Sequence, residues 1–257
     1  MQDPRVVRVN TTHWLMTYCT FGPACNDPRG CPPNVPHNVA YRACGGGAAG
    51  LGIATTTDPS QPSKWVRHGY SQLGKSAALL VRDKPPHYAF FGIPSIAVYM
   101  SDDLLTWAKP KSWSGQNWLI NDDDFSGFVE AGAPPERLST GDYIMTYNIL
   151  GPCNCWGAGY IIMDKTDPSI ILQRTSIEYD FGPLIWPSLP WEVTNTSGSS
   201  WEPLKCCIGA TNSLQPLGGD SFLAHYASGD SVAGSAIISV KLRTDDKQAV
   251  VSNMSKP

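Results

Sequence analysis

Four segments of the sequence place an acid beside residues that constrain the backbone. The acids are Asp3, Glu130, Glu192 and Asp230, each with Gly or Pro within a few residues. Cleavage of a glycosidic bond needs a carboxylic acid at the leaving oxygen and an activated nucleophile across the sugar ring. Acids contributed by separate sheets could supply that pair, or they could bind sugar hydroxyls without cleavage.

Each segment is degenerate when it is considered alone. Asp3-Pro4-Arg5 puts an acid two residues from a guanidinium, and by itself it is typical of a turn with a surface ion pair. Residues 101–107, which include Asp102, are typical of a turn after a strand. The sequence contains no G-x-S-x-G segment, phosphate-binding glycine loop or dinucleotide fingerprint. Chemistry on sugars is therefore the hypothesis that these acids favour.

A pair of apolar, aromatic-rich runs occurs four times in the sequence and predicts the strands that must position these acids. Such a pair at intervals of about 55 to 80 residues is typical of a β-propeller blade. The sequence therefore predicts an all-β fold of antiparallel blades, with the site expected at the central axis. The first runs are residues 12–18, 86–92, 141–148 and 219–226, and their partners are residues 50–55, 96–102, 159–164 and 234–240.

Composition agrees with one large β domain over residues 1–257. Hydrophobic residues make up 42% and charged residues 16%, and the 24 Gly and 22 Pro suit many short strands and turns. The net charge is −3 and no basic run is present, so we expect neither nucleic acid nor an anionic membrane as partner. The sequence contains no apolar run of about 18 residues, so it predicts no transmembrane helix.

The eight cysteines indicate disulfides, because their number is even and their spacing does not match metal-ligand pairs. No metal or other cofactor is predicted. Three N-x-S/T sequons, at Asn10, Asn195 and Asn253, agree with a secreted or extracellular glycoprotein. No signal-peptide stretch precedes the first apolar run, so this localisation rests on the cysteines and sequons.

Taken in order, the motifs resemble glycoside hydrolase family 130, the β-mannoside phosphorylases and hydrolases. The resemblance covers nearly the whole chain and rests on five segments: Asp3-Pro4-Arg5 and residues 101–107, 131–135, 187–192 and 226–230. It implies a five-bladed β-propeller that acts on β-linked mannosides at its axial pocket. Four blades are recognisable here, and the blade that the family has ahead of Asp3 is lacking.

The resemblance implies roles for individual residues. Asp3 matches the family's general acid, with Gln2 in place of the preceding Glu, and Arg5 matches the arginine of that motif. In the family this acid is thought to act through a sugar hydroxyl. Glu192 matches the glutamate after the late proline turn, and Asp230 matches a sugar-binding acid. We therefore predict Asp3 as the catalytic residue, and the predicted substrate-binding residues are Arg5, Asp102, Glu130, Asn148, Glu192 and Asp230.

One departure from the family pattern bears on the reaction. The family phosphorylases hold phosphate with basic residues, and Asn148 stands where one of these, a histidine, is expected. The second basic position falls near residues 91–92, where no cation is present. Phosphate without those cations would be poorly held, so we expect inverting hydrolysis of a β-mannoside with water as nucleophile. The alternatives are a carbohydrate-binding or degenerate propeller, a β-mannoside phosphorylase, and a propeller glycosidase for arabinosides, fructosides or galactosides.

Overall fold

The computed structural model describes residues 2–21, 49–70, 76–92, 95–110, 118–120, 129–151, 155–175, 184–193, 208–228, 232–242 and 249–255. The chain divides into two compact units. The first comprises Met1–Gly92 and Ala97–Asn117, and the second comprises Ile93–Ile96 and Trp118–Pro257. A single domain over residues 1–257 stays a prediction.

The first unit begins with a four-stranded antiparallel sheet in the order β1-β2-β3-β4. Its strands are β1 (Gln2–Arg8), β2 (Trp14–Phe21), β3 (Ala49–Thr56) and β4 (Val66–Tyr70). In β2 the residues from Leu15 to Cys19 are all buried, so both faces of this strand are covered. Such a strand is a continuous apolar run rather than an alternating one.

The next antiparallel strands of the first unit are β5 (Ala78–Leu80), β6 (His87–Phe91) and β7 (Ile96–Ser101), paired in that order. Their buried side chains pack with those of the first sheet in one cluster, which includes Leu15, Leu51, Leu79 and Trp107. Strand β8 (Trp118–Ile120) belongs to the second unit. In the described part of the first unit, a 3₁₀ turn spans Pro62–Lys64.

The described part of the second unit contains two antiparallel sheets, one of five strands and one of four. In the first of them β11 pairs with β9, β10 and β12, and β12 pairs with β13. The second has the order β14-β15-β16-β17. The strands are β9 (Val129–Ala131), β10 (Glu136–Arg137), β11 (Tyr143–Gly151), β12 (Cys155–Met163), β13 (Ile171–Arg174), β14 (Ile208–Gly218), β15 (Ser221–Ser228), β16 (Val232–Leu242) and β17 (Ala249–Ser255), and a short helix α1 spans Pro190–Val193.

These two sheets of the second unit share one hydrophobic core. Ile144 and Ile162 from one sheet lie in the same buried cluster as Phe222 and Ile238 from the other. The Asp220 carboxylate, at the β14–β15 turn, also accepts hydrogen bonds from the Ser139 backbone N–H and hydroxyl, each at 2.6 Å. The sheets of this unit are therefore held by packing and by a polar link.

The structure confirms the predicted all-β class and its repeat. Each predicted pair of runs forms two adjacent antiparallel strands: β2 with β3, β6 with β7, β11 with β12, and β15 with β16. The four recognisable blades of a β-propeller are thus present. No helix in the described part of the chain is long and apolar enough to span a membrane.

The disulfide prediction stays a prediction. Cys19 is buried, and the Ser76 backbone N–H donates to its sulfur at 3.3 Å. The cysteines that lie outside the described residues are Cys25, Cys31, Cys44, Cys153, Cys206 and Cys207.

Candidate functional site

Asp3 lies at an irregularity of the edge strand β1. Gln2 faces Cys19 and Arg5 faces Thr17, so Asp3 and Pro4 together oppose the single residue Tyr18. This is the geometry of a β-bulge, where a proline without an N–H donor is tolerated. Asp3 has a φ of 47°, in the left-handed region that Asp and Asn occupy more readily than other non-glycine residues.

Arg5 fixes the backbone of this bulge. Its side chain is only 2% exposed, and Nη1 donates a hydrogen bond to the Asp3 carbonyl oxygen at 3.1 Å. The expectation of a surface turn at Asp3-Pro4-Arg5 is therefore wrong, because the segment belongs to a strand and Arg5 is buried. The result is a half-buried carboxyl on a constrained backbone.

Asp102 and its neighbour Asp103 have different environments. The Asp103 carboxylate accepts hydrogen bonds from the backbone N–H groups of Leu105 and Thr106, at 2.8 and 2.6 Å, and from the Ser101 hydroxyl at 3.0 Å. These bonds, led by that of Thr106, lower the pKa of Asp103 to about 2. Asp103 therefore builds the turn that the sequence predicts.

Asp102 is exposed and lines an open cavity of about 670 Å³. No described residue forms a hydrogen bond or ion pair with its carboxylate. Its charge acts on His87, whose pKa is lowered mainly by burial, and Asp102 opposes that shift. Of the other predicted site residues, none that the structure describes lines this cavity.

Glu130 and Asn148 are brought together by strand pairing in the second unit. They face each other across β9 and β11, and Asn148 Nδ2 lies 3.5 Å from Glu130 Oε2. Asn148 is fully buried, and its Oδ1 accepts from both the backbone N–H and the hydroxyl of Thr211, each at 3.1 Å. Because Thr211 fixes the amide oxygen, the amide N–H₂ faces the Glu130 carboxylate.

The close approach of these strands depends on Gly132. A Cβ at this position would lie 2.4 Å from the Thr146 carbonyl oxygen and 2.7 Å from the Thr211 hydroxyl. The Gly in the segment that follows Glu130 is thus required by packing.

Glu192 lies in α1 and is 1% exposed. Its Oε2 accepts from the backbone N–H groups of Ser188 and Leu189, both at 2.8 Å, and its Oε1 accepts from the Tyr226 hydroxyl at 2.6 Å. Burial and the adjacent Glu192 charge raise the pKa of Tyr226. The Trp191 and Tyr226 rings stack at 6.0 Å. Glu192 therefore ties the segment after residue 187 to strand β15.

A bulge in β14 relates two of the polar pairs of the second unit, Glu130 with Asn148 and Glu192 with Tyr226. Gly209 faces Ala227 and Ser213 faces His225, so residues 210–212 oppose Tyr226 alone. Thr211, which holds Asn148, thus lies opposite the tyrosine that binds Glu192. Thr211 and Tyr226 were missed as site residues, because their roles come from contacts between residues distant in sequence.

Asp230 lies outside the described residues, so its predicted role in sugar binding stays a prediction. Within the described ranges, no group of three or more His, Cys, Asp or Glu is arranged to hold a metal ion.

Comparisons with known proteins show the fold. No protein-family model matches the sequence, and no curated protein matches it either. A solved structure reported for the glycoside hydrolase 130 family of mannoside phosphorylases, which contains hydrolases of β-1,2-mannosidic linkages in Candida mannan, is similar at a TM-score of 0.66, 18% identity and 93% of this chain. The β-1,2-mannobiose phosphorylase of Listeria innocua has a TM-score of 0.64 at 16% identity over 93%. The structure of a glycosyl hydrolase from Bacteroides ovatus has a TM-score of 0.64 at 17% identity and covers 99% of this chain.

The chain spans 65%, 57% and 68% of these three proteins, about two thirds of their length or less. At identities of 16% to 18% the likeness concerns the backbone and not the side chains that react. The chain has a fold like that of the glycoside hydrolase 130 structures.

Proposed function

We propose that this chain is a carbohydrate-active propeller that hydrolyses β-linked mannosides, with Asp3 as general acid. The observation that carries the proposal is the backbone of Asp3, which has a φ of 47° inside a strand and is held by the buried Arg5. Non-glycine residues in this region cost about 1–3 kcal/mol each, and they cluster at functional sites. A fixed backbone also limits the directions in which a catalytic carboxyl can point.

In this reaction Asp3 gives its proton to the leaving glycosidic oxygen, directly or through a sugar hydroxyl. The bond between that oxygen and the anomeric carbon breaks, and water forms the new bond from the opposite face. The attacking water releases one proton to solvent, and Asp3 regains a proton from solvent, so the net change is the addition of water across the glycosidic bond. Proton transfer by a positioned carboxyl contributes about 10²–10⁴-fold to a rate. The anomeric configuration is inverted, because only one displacement occurs.

The surroundings of Asn148 support water over phosphate as the nucleophile. Asn148 stands where the resemblance expects a cationic phosphate ligand, and its amide N–H₂ faces the Glu130 carboxylate. A phosphate dianion at this position would meet the Glu130 carboxyl group in place of a cation. Hydrolysis of a β-mannoside is therefore favoured over phosphorolysis.

The predicted sugar-binding residues remain proposals of unequal support. Asp102 has an exposed carboxylate at a cavity, whereas Glu130, Asn148 and Glu192 are buried and bonded to their own chain. The hydrogen bonds of Glu192 favour the second candidate function, a carbohydrate-binding propeller without turnover. An acid that stabilises the fold is needed in such a propeller even when the protein does not catalyse a reaction.

Product analysis on β-1,2- and β-1,4-mannobiose, with and without inorganic phosphate, tests the proposal. We expect free mannose at a rate independent of phosphate. Asp3→Asn should lower kcat about 10²–10⁴-fold. Asp83→Asn, which changes an exposed acid on the β5–β6 turn, is the matched control and should keep the wild-type rate.

Three results would contradict the proposal in different ways. Mannose 1-phosphate as product would make the protein a phosphorylase. Binding of mannobiose without any product would favour the binding propeller. A full rate in Asp3→Asn would remove Asp3 as the acid while leaving hydrolysis standing.

A further inference from the structure

We propose that the cavity beside strand β7 is a second glycan subsite that binds one neutral sugar unit without reacting with it. The ligand class follows from the proposed function. The cavity has a volume of about 670 Å³, within the range of about 300–1,000 Å³ usual for small-molecule sites. Its walls include Pro86, Met100, Asp102, Thr106, Ala108 and Lys109. No residue of β1 contributes to it.

The two adjacent acids of this turn, Asp102 and Asp103, differ in what they contact. Asp103 accepts hydrogen bonds from the Ser101 hydroxyl and from two backbone N–H groups, and these bonds account for the turn. Asp102 makes no such bond within the described part of the chain. The fold thus has no evident need for this carboxylate, which is at the cavity wall and exposed to solvent.

The lining matches a pyranose ring better than an anion or a purely apolar ligand. Pro86, Met100 and Ala108 give an apolar side that suits the C–H face of a sugar. Thr106, Asp102 and Lys109 give donors and acceptors for its hydroxyls. Asp103 also lines the cavity, but its carboxylate accepts hydrogen bonds from the Ser101 hydroxyl and from two backbone N–H groups of its own turn. With Asp102 and Asp103 against the single cation Lys109, the lining favours a neutral ligand over an anion.

The walls of the cavity are held in place before any ligand binds. Met100 and Ala108 exchange two backbone hydrogen bonds, both at 2.8 Å, across the turn. Asp103 fixes the residues between them. A preorganised site of this kind loses little entropy on binding. By contrast, a cavity between Trp14 and Leu105 in the same unit has only about 290 Å³, at the lower limit for a small-molecule site.

Met100 allows the site to be observed directly. We would label the methionine methyl groups with ¹³C in the Asp3→Asn protein, which should not consume the sugar, and titrate β-1,2-mannobiose. Met100→Leu assigns the signal. We expect a saturable shift of the Met100 methyl signal, while those of the buried Met145 and Met163 stay in place.

Asp102→Asn tests the chemistry of the site. Loss of a charge-assisted hydrogen bond should weaken the binding seen at Met100 about tenfold or more. Asp83→Asn removes a charge from an exposed turn of the same unit and should leave the affinity unchanged. An unchanged Met100 signal in sugar-free Asp102→Asn shows that the turn is intact.

The outcomes separate this proposal from the proposed function. If wild-type protein releases mannose but sugar leaves the Met100 signal in place, the subsite is wrong and hydrolysis stands. If the signal shifts but nothing is released, the subsite stands and hydrolysis fails. Undiminished affinity in Asp102→Asn would overturn the subsite, and neither shift nor product would overturn both.

Discussion

The acids of the two units differ in how the protein uses them. In the second unit, Glu130 and Glu192 are 8% and 1% exposed and are bonded to their own chain. In the first unit, Asp102 is exposed at a cavity, and Asp3 is half-buried on a fixed backbone. A buried carboxylate is stable only when donors replace its water. Similar acidic motifs therefore hold the fold in one unit and are accessible to a ligand in the other.

Replacing Glu192 is the strongest way to break this comparison. Glu192→Ala should remove the acceptor of the Ser188 and Leu189 N–H groups and of the Tyr226 hydroxyl at once. A buried donor left without a partner costs about 1–3 kcal/mol. Because the Ser188 and Leu189 N–H groups are only partly buried, we expect the free energy of unfolding to fall by about 3–5 kcal/mol, the lower part of the range for three donors. Denaturant titration measures the change.

Tyr226→Phe is the matched variant for Glu192, since it removes one donor and keeps the ring that stacks on Trp191. It should cost about 1–2 kcal/mol. If Glu192→Ala instead kept full stability and lost sugar affinity, Glu192 would be a binding residue and the contrast between the units would fail.

Asn148 tests the same contrast with a smaller effect. Asn148→Ala leaves the hydroxyl and N–H of Thr211 without their acceptor, and we expect a loss of about 2–3 kcal/mol in stability.

Asn148→Asp distinguishes the contact of the amide oxygen with Thr211 from the contact of the amide N–H₂ with Glu130. It keeps an acceptor for Thr211 and places a second carboxylate against Glu130, so it should destabilise the protein at pH 8 and do so less at pH 4. The same loss at both pH values would show that Glu130 carries no charge that Asn148 senses.

The four strand pairs β2–β3, β6–β7, β11–β12 and β15–β16 could be predicted from the sequence, because each joins two apolar runs that are consecutive along the chain. The apolar runs of β11 and β12 are joined by a short connection, and period and length indicate their pairing. The bond between Asn148 and Thr211 could not be predicted, since it joins residues 63 positions apart and depends on a bulge. The burial of Arg5 was also missed, because arginine is rarely buried unless its donors are satisfied.

Replacing Glu136 should give the smallest change in stability. Its burial lies between that of the buried acids Glu130 and Glu192 and that of the exposed Asp102. It is half-buried in β10, and no described residue donates a hydrogen bond to its carboxyl. Burial alone raises its pKa from 4.5 to about 7. Between these values the folded protein binds more protons at Glu136 than the unfolded chain does. Its contribution to stability therefore falls as the pH rises from about 4.5 to about 7 and stays at the lower level above that.

Glu136→Gln should remove this dependence, since glutamine has the same shape and does not ionise. At pH 8 the variant should be more stable than wild type by about 1–2 kcal/mol, and at pH 4 the two should be equal. Denaturant titrations at both pH values measure the difference, with Asp83→Asn as a control on an exposed acid. Equal stability at pH 8 would mean that Glu136 reaches water or a donor when ionised, which would place it with the accessible acids of the first unit.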